Sequence, residues 1–141
     1  MKWLVKSEPG TYSFSDLVRD GSTCWDGVSN PVALKHLRAM KKGDQVLFYH
    51  TGTEKAVVGL ARVSGDPYPD PRLGDPKRVV VDLAAVGPLG QALSLAAIKA
   101  DSRFKNLGLV RIGRLSVMPV SPGEWQALLD MSRAGIPNKT R

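Results

Sequence analysis

Residues 46–63, VLFYHTGTEKAVVGLARV, constrain the fold of this chain more than any other stretch. They read as two strands joined by a short turn. Side chains alternate along a strand, so Val46, Phe48 and His50 share one face and Leu47, Tyr49 and Thr51 the other. Thr51, Gly52 and Thr53 supply turn chemistry. Residues 56–63 then run back almost wholly apolar, as a central strand does. Gly59 interrupts them, and a glycine inside a strand marks a bulge or a close approach by another group. Tyr49 and His50 carry polar-tipped rings to the end of the first strand. A strand end at the mouth of a small barrel is a common place for a ligand site. The same two rings also fit a half-buried, hydrogen-bonded pair with no ligand.

The 141 residues suffice for one domain with a real core. We assign it to residues 1–133 and expect 134–141, which lack an apolar pattern, to be a disordered tail. No run approaches the roughly 18 apolar residues of a membrane span. The first residues turn polar too soon for a signal peptide, so the expected location is cytoplasmic. One cysteine, Cys24, makes no internal disulfide. Together with His36 and His50 it makes no zinc site, so no metal is expected. Twenty basic residues against thirteen acidic give a net charge of +7, which favours a polyanionic partner.

Taken in order, Trp3, Leu4 and Val5 form a first strand, broken by Pro9 and Gly10. Ser13 and Asp16 form a variant capping box on a helix that ends by Gly21. Residues 24–30 read as loop. Asn30 caps a second helix with Pro31 at its first position. Leu34, Leu37 and Met40 face the core, while Lys35, Arg38 and Lys42 share a basic face. Residues 66–71 are a stiff extended connection. Residues 77–86 form a third long strand ended by Pro88. Ser94 caps a short helix carrying Leu95 and Ile98, and residues 103–109 are irregular or a single turn. A last strand spans residues 115–118. Ser121 and Glu124 then form a full capping box, with Val120 stapled onto Trp125, on a helix reaching about Met131. Strands with scattered short helices make an α+β domain, best arranged as a small mixed barrel flanked by helices.

No glycine-rich phosphate loop and no GxSxG elbow occurs. Nothing in the sequence brings Cys24 to His50 as a nucleophile and base. What remains is a set of rings and short polar groups at element ends: Ser7, Trp25, Asn30, Tyr49 and His50. Rings stack, and Ser, Asn and His give directional hydrogen bonds. That combination suits a planar heterocycle such as an unstacked nucleobase. A core with a few aromatics has the same composition.

Several motifs resemble the EVE domain, a member of the PUA-like superfamily related to YTH domains. They are Trp3 to Pro9 (WLVKSEP), Tyr12–Ser13, Asp16–Leu17, Trp25 to Val28 (WDGV) with Asn30, and Gly43–Asp44 before Leu47 to His50 (LFYH). Val58 to Ala61 (VGLA), Tyr68 to Asp70 (YPD) and Arg114 to Val120 (RLSVMPV) complete the set, over about residues 2–131. The resemblance implies a PUA-like mixed curved β-barrel flanked by short helices. It also implies a non-enzymatic nucleic-acid-binding module that recognises a modified base, chiefly a modified cytosine in DNA. YTH relatives hold a methylated adenine of RNA in an aromatic cage, so RNA is the alternative partner.

On that reading Trp25 stacks on the base, Ser7 and Asn30 bond its edge, and Tyr49 and His50 line the pocket. Lys6, Ser29, Lys35, Arg38 and Arg114 are the pocket-edge and phosphate contacts, with Arg114 alternatively a structural ion-pair partner. The family commonly has Arg where this chain has Ser29, and an aromatic or polar residue where it has Pro31. Losing that fixed cation alters phosphate contact or base identity at that edge. A monomer without cofactor is expected. Two other classes stay open: a hydrolase of modified nucleosides or nucleotides using His50, Glu8 or Asp26 as acid or base, and a protein-interaction module with an empty pocket.

Overall fold

The computed structural model describes residues 1–134. Strand β1 (Lys2–Ser7) leads to helix α1 (Phe14–Asp20), β2 (Ser22–Trp25) and α2 (Pro31–Ala39). The central hairpin follows as β3 (Gln45–His50) and β4 (Ala56–Val63), then β5 (Tyr68–Pro69) and the long β6 (Val79–Ser94). Helix α3 (Leu95–Lys99), a 3-10 turn at Ser102–Phe104, α4 (Gly108–Arg111), β7 (Val117–Pro119) and α5 (Pro122–Ala134) complete the chain. The strands form one mixed sheet in the order β2-β6-β4-β3-β1-β7, with β5 pairing β6 to one side. Among the described residues only β1 and β3 pair in parallel, joined by the crossover through α1, β2 and α2. The sheet curls into a half-barrel flanked by short helices, the α+β architecture expected.

The central hairpin is the middle of that sheet. All residues of β3 after Gln45 are buried, because elements cover both of its faces. Gly59 is the close approach its position implied: the Phe14 ring lies where a Cβ would stand. Phe14 packs edge-to-face with Phe48, ring centres 5.4 Å apart, so α1 is seated on the sheet through a missing side chain. The β3–β4 register also shifts between Phe48 and Tyr49, beside this contact.

Both capping boxes are present. Ser13 Oγ accepts from Asp16 N at 3.1 Å while Asp16 takes the Ser13 N–H at 2.9 Å. Ser121 Oγ accepts from Glu124 N and Glu124 takes the Ser121 N–H, both at 3.2 Å. Val120 and Trp125 are both buried, as a staple requires.

Four expectations need correction. Residues 24–30 are not all loop: Cys24 and Trp25 end β2, which pairs with residues 81–84 of β6. The polar Ser22 and Thr23 masked a strand whose partner lies some sixty residues on. Pro88 does not end β6. It pairs with Gly59 in an irregular part of the ladder, where the register slips on either side and no amide hydrogen is needed. The stiff connection contains β5 and the buried Asp70. Helix α5 runs past Met131 to Ala134, so the expected tail begins inside it; residues 135–141 lie outside the described residues.

Candidate functional site

A cavity of about 570 Å³ opens between the end of β1, the segment before α1, and the end of β2 with its following loop. That volume is typical of small-molecule sites. It brings together Lys6, Ser7, Trp25, Ser29 and Asn30 of the expected set, from two separate stretches of chain.

Ser7 ends β1 opposite His50 of β3. Its Oγ donates to the Tyr12 carbonyl at 2.5 Å, which folds residues 8–12 over the cavity. The Oγ proton is thereby committed, and its lone pairs remain for a ligand. Trp25 ends β2 opposite Val81. Its ring packs edge-to-face with Phe48, 5.4 Å between centres, and is only 9% exposed, yet it lines the cavity. It belongs to the core and to the site at once. Gly27, at φ 76°, turns the chain between them and Asn30. Asn30 Oδ1 caps α2, accepting from Val32 N at 2.9 Å and Ala33 N at 3.1 Å. Its Nδ2 donors are the part of the amide left for a ligand.

The wall formed by residues 26–28 is held from a distance. Arg72 bonds both Asp26 and the buried Asp70. Hydrogen bonds from Arg72 hold the Asp70 carboxyl below the usual carboxylate range. Arg78 Nε donates to the Val28 carbonyl at 3.1 Å. These two arginines strap the loop after β2 to the segment before β6.

The other expected site residues lie elsewhere. His50 is beneath α1: Phe14 N donates to its Nε2 at 2.9 Å and its Nδ1 meets Glu54 Oε1 at 2.7 Å. The ring therefore satisfies the first turn of a helix, the hydrogen-bonded role left open for it. Tyr49 faces a neighbouring smaller cavity, with Lys6 Nζ 5.7 Å from its ring centre. Lys6 Nζ also donates to the Gly113 carbonyl at 2.7 Å, and burial pushes its pKa down. Lys35 is exposed on α2, and Arg38 donates to the Lys77 carbonyl at 3.2 Å beside a different cavity. Arg114 is exposed and outside the lining of the cavity. Sequence reasoning missed Thr11, Tyr12, Thr23, Cys24 and Ser116, which also line the base cavity. No local signal marks Thr23 and Cys24: the alternation of exposed Ser22 and Cys24 with less exposed Thr23 and Trp25 arises from the pairing of β2 with β6.

Comparison with known proteins accounts for the arrangement. The family model described as "EVE domain" matches residues 1–131. This chain belongs to the EVE-domain family. Human thymocyte nuclear protein 1 is 30% identical over 163 residues, covering 92% of this chain and 72% of the human protein. A crystal structure of the human protein in complex with 5-methylcytosine-containing DNA superposes with a TM-score of 0.85, over 93% of this chain and 96% of that one. An Agrobacterium tumefaciens protein of known structure is 37% identical with a TM-score of 0.91, over 97% of this chain and 94% of that one. An ASCH protein from Zymomonas mobilis, 12% identical with a TM-score of 0.58, covers 92% of this chain and 94% of its own, and shares the fold alone. The EVE half-barrel is thus PUA-like. The EVE motifs acquire physical content here: Asp44 accepts from Trp3 Nε1 at 2.9 Å, so two of them meet in one hydrogen bond.

Proposed function

We propose that this EVE domain binds a modified cytosine of DNA in the cavity beside Trp25, without chemical turnover. The supporting observation is a cavity lined by Trp25, Ser7 and Asn30 in a chain similar to a protein crystallised with 5-methylcytosine-containing DNA. A base that leaves the duplex loses stacking worth a few kcal/mol. A ring in the pocket returns about 1–3 kcal/mol per base by stacking. Ser7 accepts from, and Asn30 Nδ2 donates to, the edge of the inserted base. The net charge of +7 supplies the sequence-independent attraction to phosphates.

The acid and base groups that turnover would need have other occupations. His50 is spent on Phe14 N and Glu54. Asp26 is paired with Arg72. Glu8 borders the cavity but takes the Gly10 N–H at 2.9 Å. Cys24 lines it with its thiol pKa pushed up by burial, the reverse of an activated nucleophile.

The test is a fluorescence-anisotropy titration of matched DNA and RNA oligonucleotides, with and without 5-methylcytosine, followed by nucleoside analysis of the recovered strand. Tighter binding of the methylated DNA with nucleosides unchanged is the expected result. Equal affinity for methylated and unmethylated strands refutes the reading. An altered nucleoside places the protein among hydrolases instead.

A further inference from the structure

We infer that the smaller cavity beside the base site is a phosphate pocket, built by Lys6, Lys55 and Lys99, for the backbone next to the inserted nucleotide. The nature of the ligand rests on the function proposed above. The cavity measures about 210 Å³ and shares Lys6 with the base cavity, so an anion in it would lie one step along a strand whose base is in the larger site. Its three lysines come from three elements: β1, the β3–β4 turn, and the last turn of α3. Among the described residues no carboxylate lines it. The nearest acids are otherwise engaged: Glu54 holds His50, and Glu8 takes Gly10 N and, at 3.5 Å, the Thr51 hydroxyl. Among the described residues neither Lys55 nor Lys99 has a side-chain hydrogen bond or ion pair.

The backbone adds a second, independent observation. Lys55 has φ 46°, the only non-glycine residue in the left-handed region among the described residues. A lysine there is strained, and such strain persists only where the surroundings hold it. Its carbonyl accepts from Leu95 N at 2.7 Å, which clamps the turn to the start of α3 and brings Lys55 and Lys99 to the same cavity. A phosphate seated among these three lysines would be attracted by each ammonium. The base cavity also shares Ser29 with a third cavity, lined by Arg38, Lys77 and Arg78. That cavity also contains Asp75, so the lysine cavity is the more purely cationic flank. A nucleotide turned into the base site has one phosphate on each side, and each of these two cavities shares a lining residue with that site.

The test measures oligonucleotide affinity against salt for wild type, Lys55→Ala/Lys99→Ala, Lys55→Arg/Lys99→Arg and Lys41→Ala/Lys42→Ala. The last pair removes the same charge from exposed positions outside this cavity. Each lost phosphate contact flattens the slope of log K against log salt by about 0.7–0.9. The Lys55/Lys99 alanine pair should flatten it by about one to two, leave the ratio of methylated to unmethylated affinity unchanged, and leave binding of free 5-methyl-2′-deoxycytidine unchanged. The arginine pair should keep the slope. An unchanged slope in the alanine pair overturns the phosphate pocket, as does an equal loss in the Lys41/Lys42 control. If wild type shows no preference for methylated strands yet the slope behaves as expected, the phosphate pocket stands and the base-reading proposal falls.

Discussion

Trp125 and Trp25 are both buried, but they are held by opposite kinds of chemistry. Trp125 sits in the first turn of α5, and the hydrogen bonds that start its helix lie within five residues. The Ser121–Glu124 box starts the helix, Trp125 N donates to the Ser121 carbonyl at 2.8 Å, and Val120 packs beneath it. From farther along the chain come the Lys2 ammonium, 5.1 Å from its ring centre, and β6, against which α5 packs. Trp25 is placed by residues dozens of positions away: Phe48 against its ring, Val81 across the ladder, Arg72 and Arg78 on the loop that follows. The difference is that local chemistry builds the support and long-range chemistry builds the site. A loop strapped by distant partners keeps an open cavity beside a buried ring, whereas a stapled helix closes over its tryptophan.

The largest expected effect lies at the closed end. Trp125→Ala should cost about 3–5 kcal/mol, as full truncations of buried large aromatics do. Urea denaturation reads this directly, and the preference of the folded protein for methylated DNA should not change. An unshifted midpoint would erase the contrast, because it would make Trp125 dispensable to the core.

Trp25 sharpens the comparison, because its removal should register in two measurements. Trp25→Ala should cost about 3 kcal/mol of stability, the lower end of the range, since one side of the ring already borders a cavity. It should also weaken binding of the methylated strand about ten- to a hundredfold, the worth of one stacked base. Trp25→Phe keeps an edge for Phe48, so it should recover most of the stability but only part of the affinity. A folded Trp25→Ala protein that binds like wild type would reduce Trp25 to a second Trp125, a core plug with no ligand.

The same contrast explains what could be read in the sequence. Helix starts were legible because a cap is a contact between neighbours: Ser13, Asn30, Ser94 and Ser121 all cap where expected. Gly59 was legible as a close approach, though not the identity of Phe14 as the group approaching it. Strand β2 and the passage of β6 through Pro88 were not, since both depend on pairing between distant segments. Ser7, Trp25 and Asn30 meet at one cavity because each ends an element, and element ends cluster at the mouth of a curled sheet. The same rule does not carry His50 to that cavity. It also ends a strand, but the chain approaching α1 delivers the Phe14 amide to its ring, a meeting across thirty-six positions that no local pattern announces. Lys55 and Lys99 escaped notice because a basic stripe was sought on one helix, and theirs is assembled from three elements.

The smallest effect tests Asn30, where support and site meet in a single amide. Oδ1 caps α2 through Val32 N and Ala33 N, so Asn30→Ala should lower stability by about 1 kcal/mol. That loss would follow whether or not Asn30 touches a base. Asn30→Asp separates the roles. It keeps the capping oxygen, and a carboxylate at a helix N-terminus is favourable, so melting should stay within a few tenths of a kcal/mol of wild type. It removes the Nδ2 donors, however, and a hydrogen bond to the base edge is worth about 0.5–1.5 kcal/mol net. The added negative charge repels every phosphate backbone alike, so the informative quantity is the ratio of methylated to unmethylated affinity, in which that repulsion cancels. The donor's contribution to the ratio depends on its reaching an atom that the methylated base presents better in the pocket. The expected outcome is therefore a modest fall, about two- to tenfold, in both Asn30→Asp and Asn30→Ala, with only the alanine variant melting earlier. A full ratio in Asn30→Asp would assign Asn30 to the support, and the stacking of Trp25 would then carry the selectivity without it.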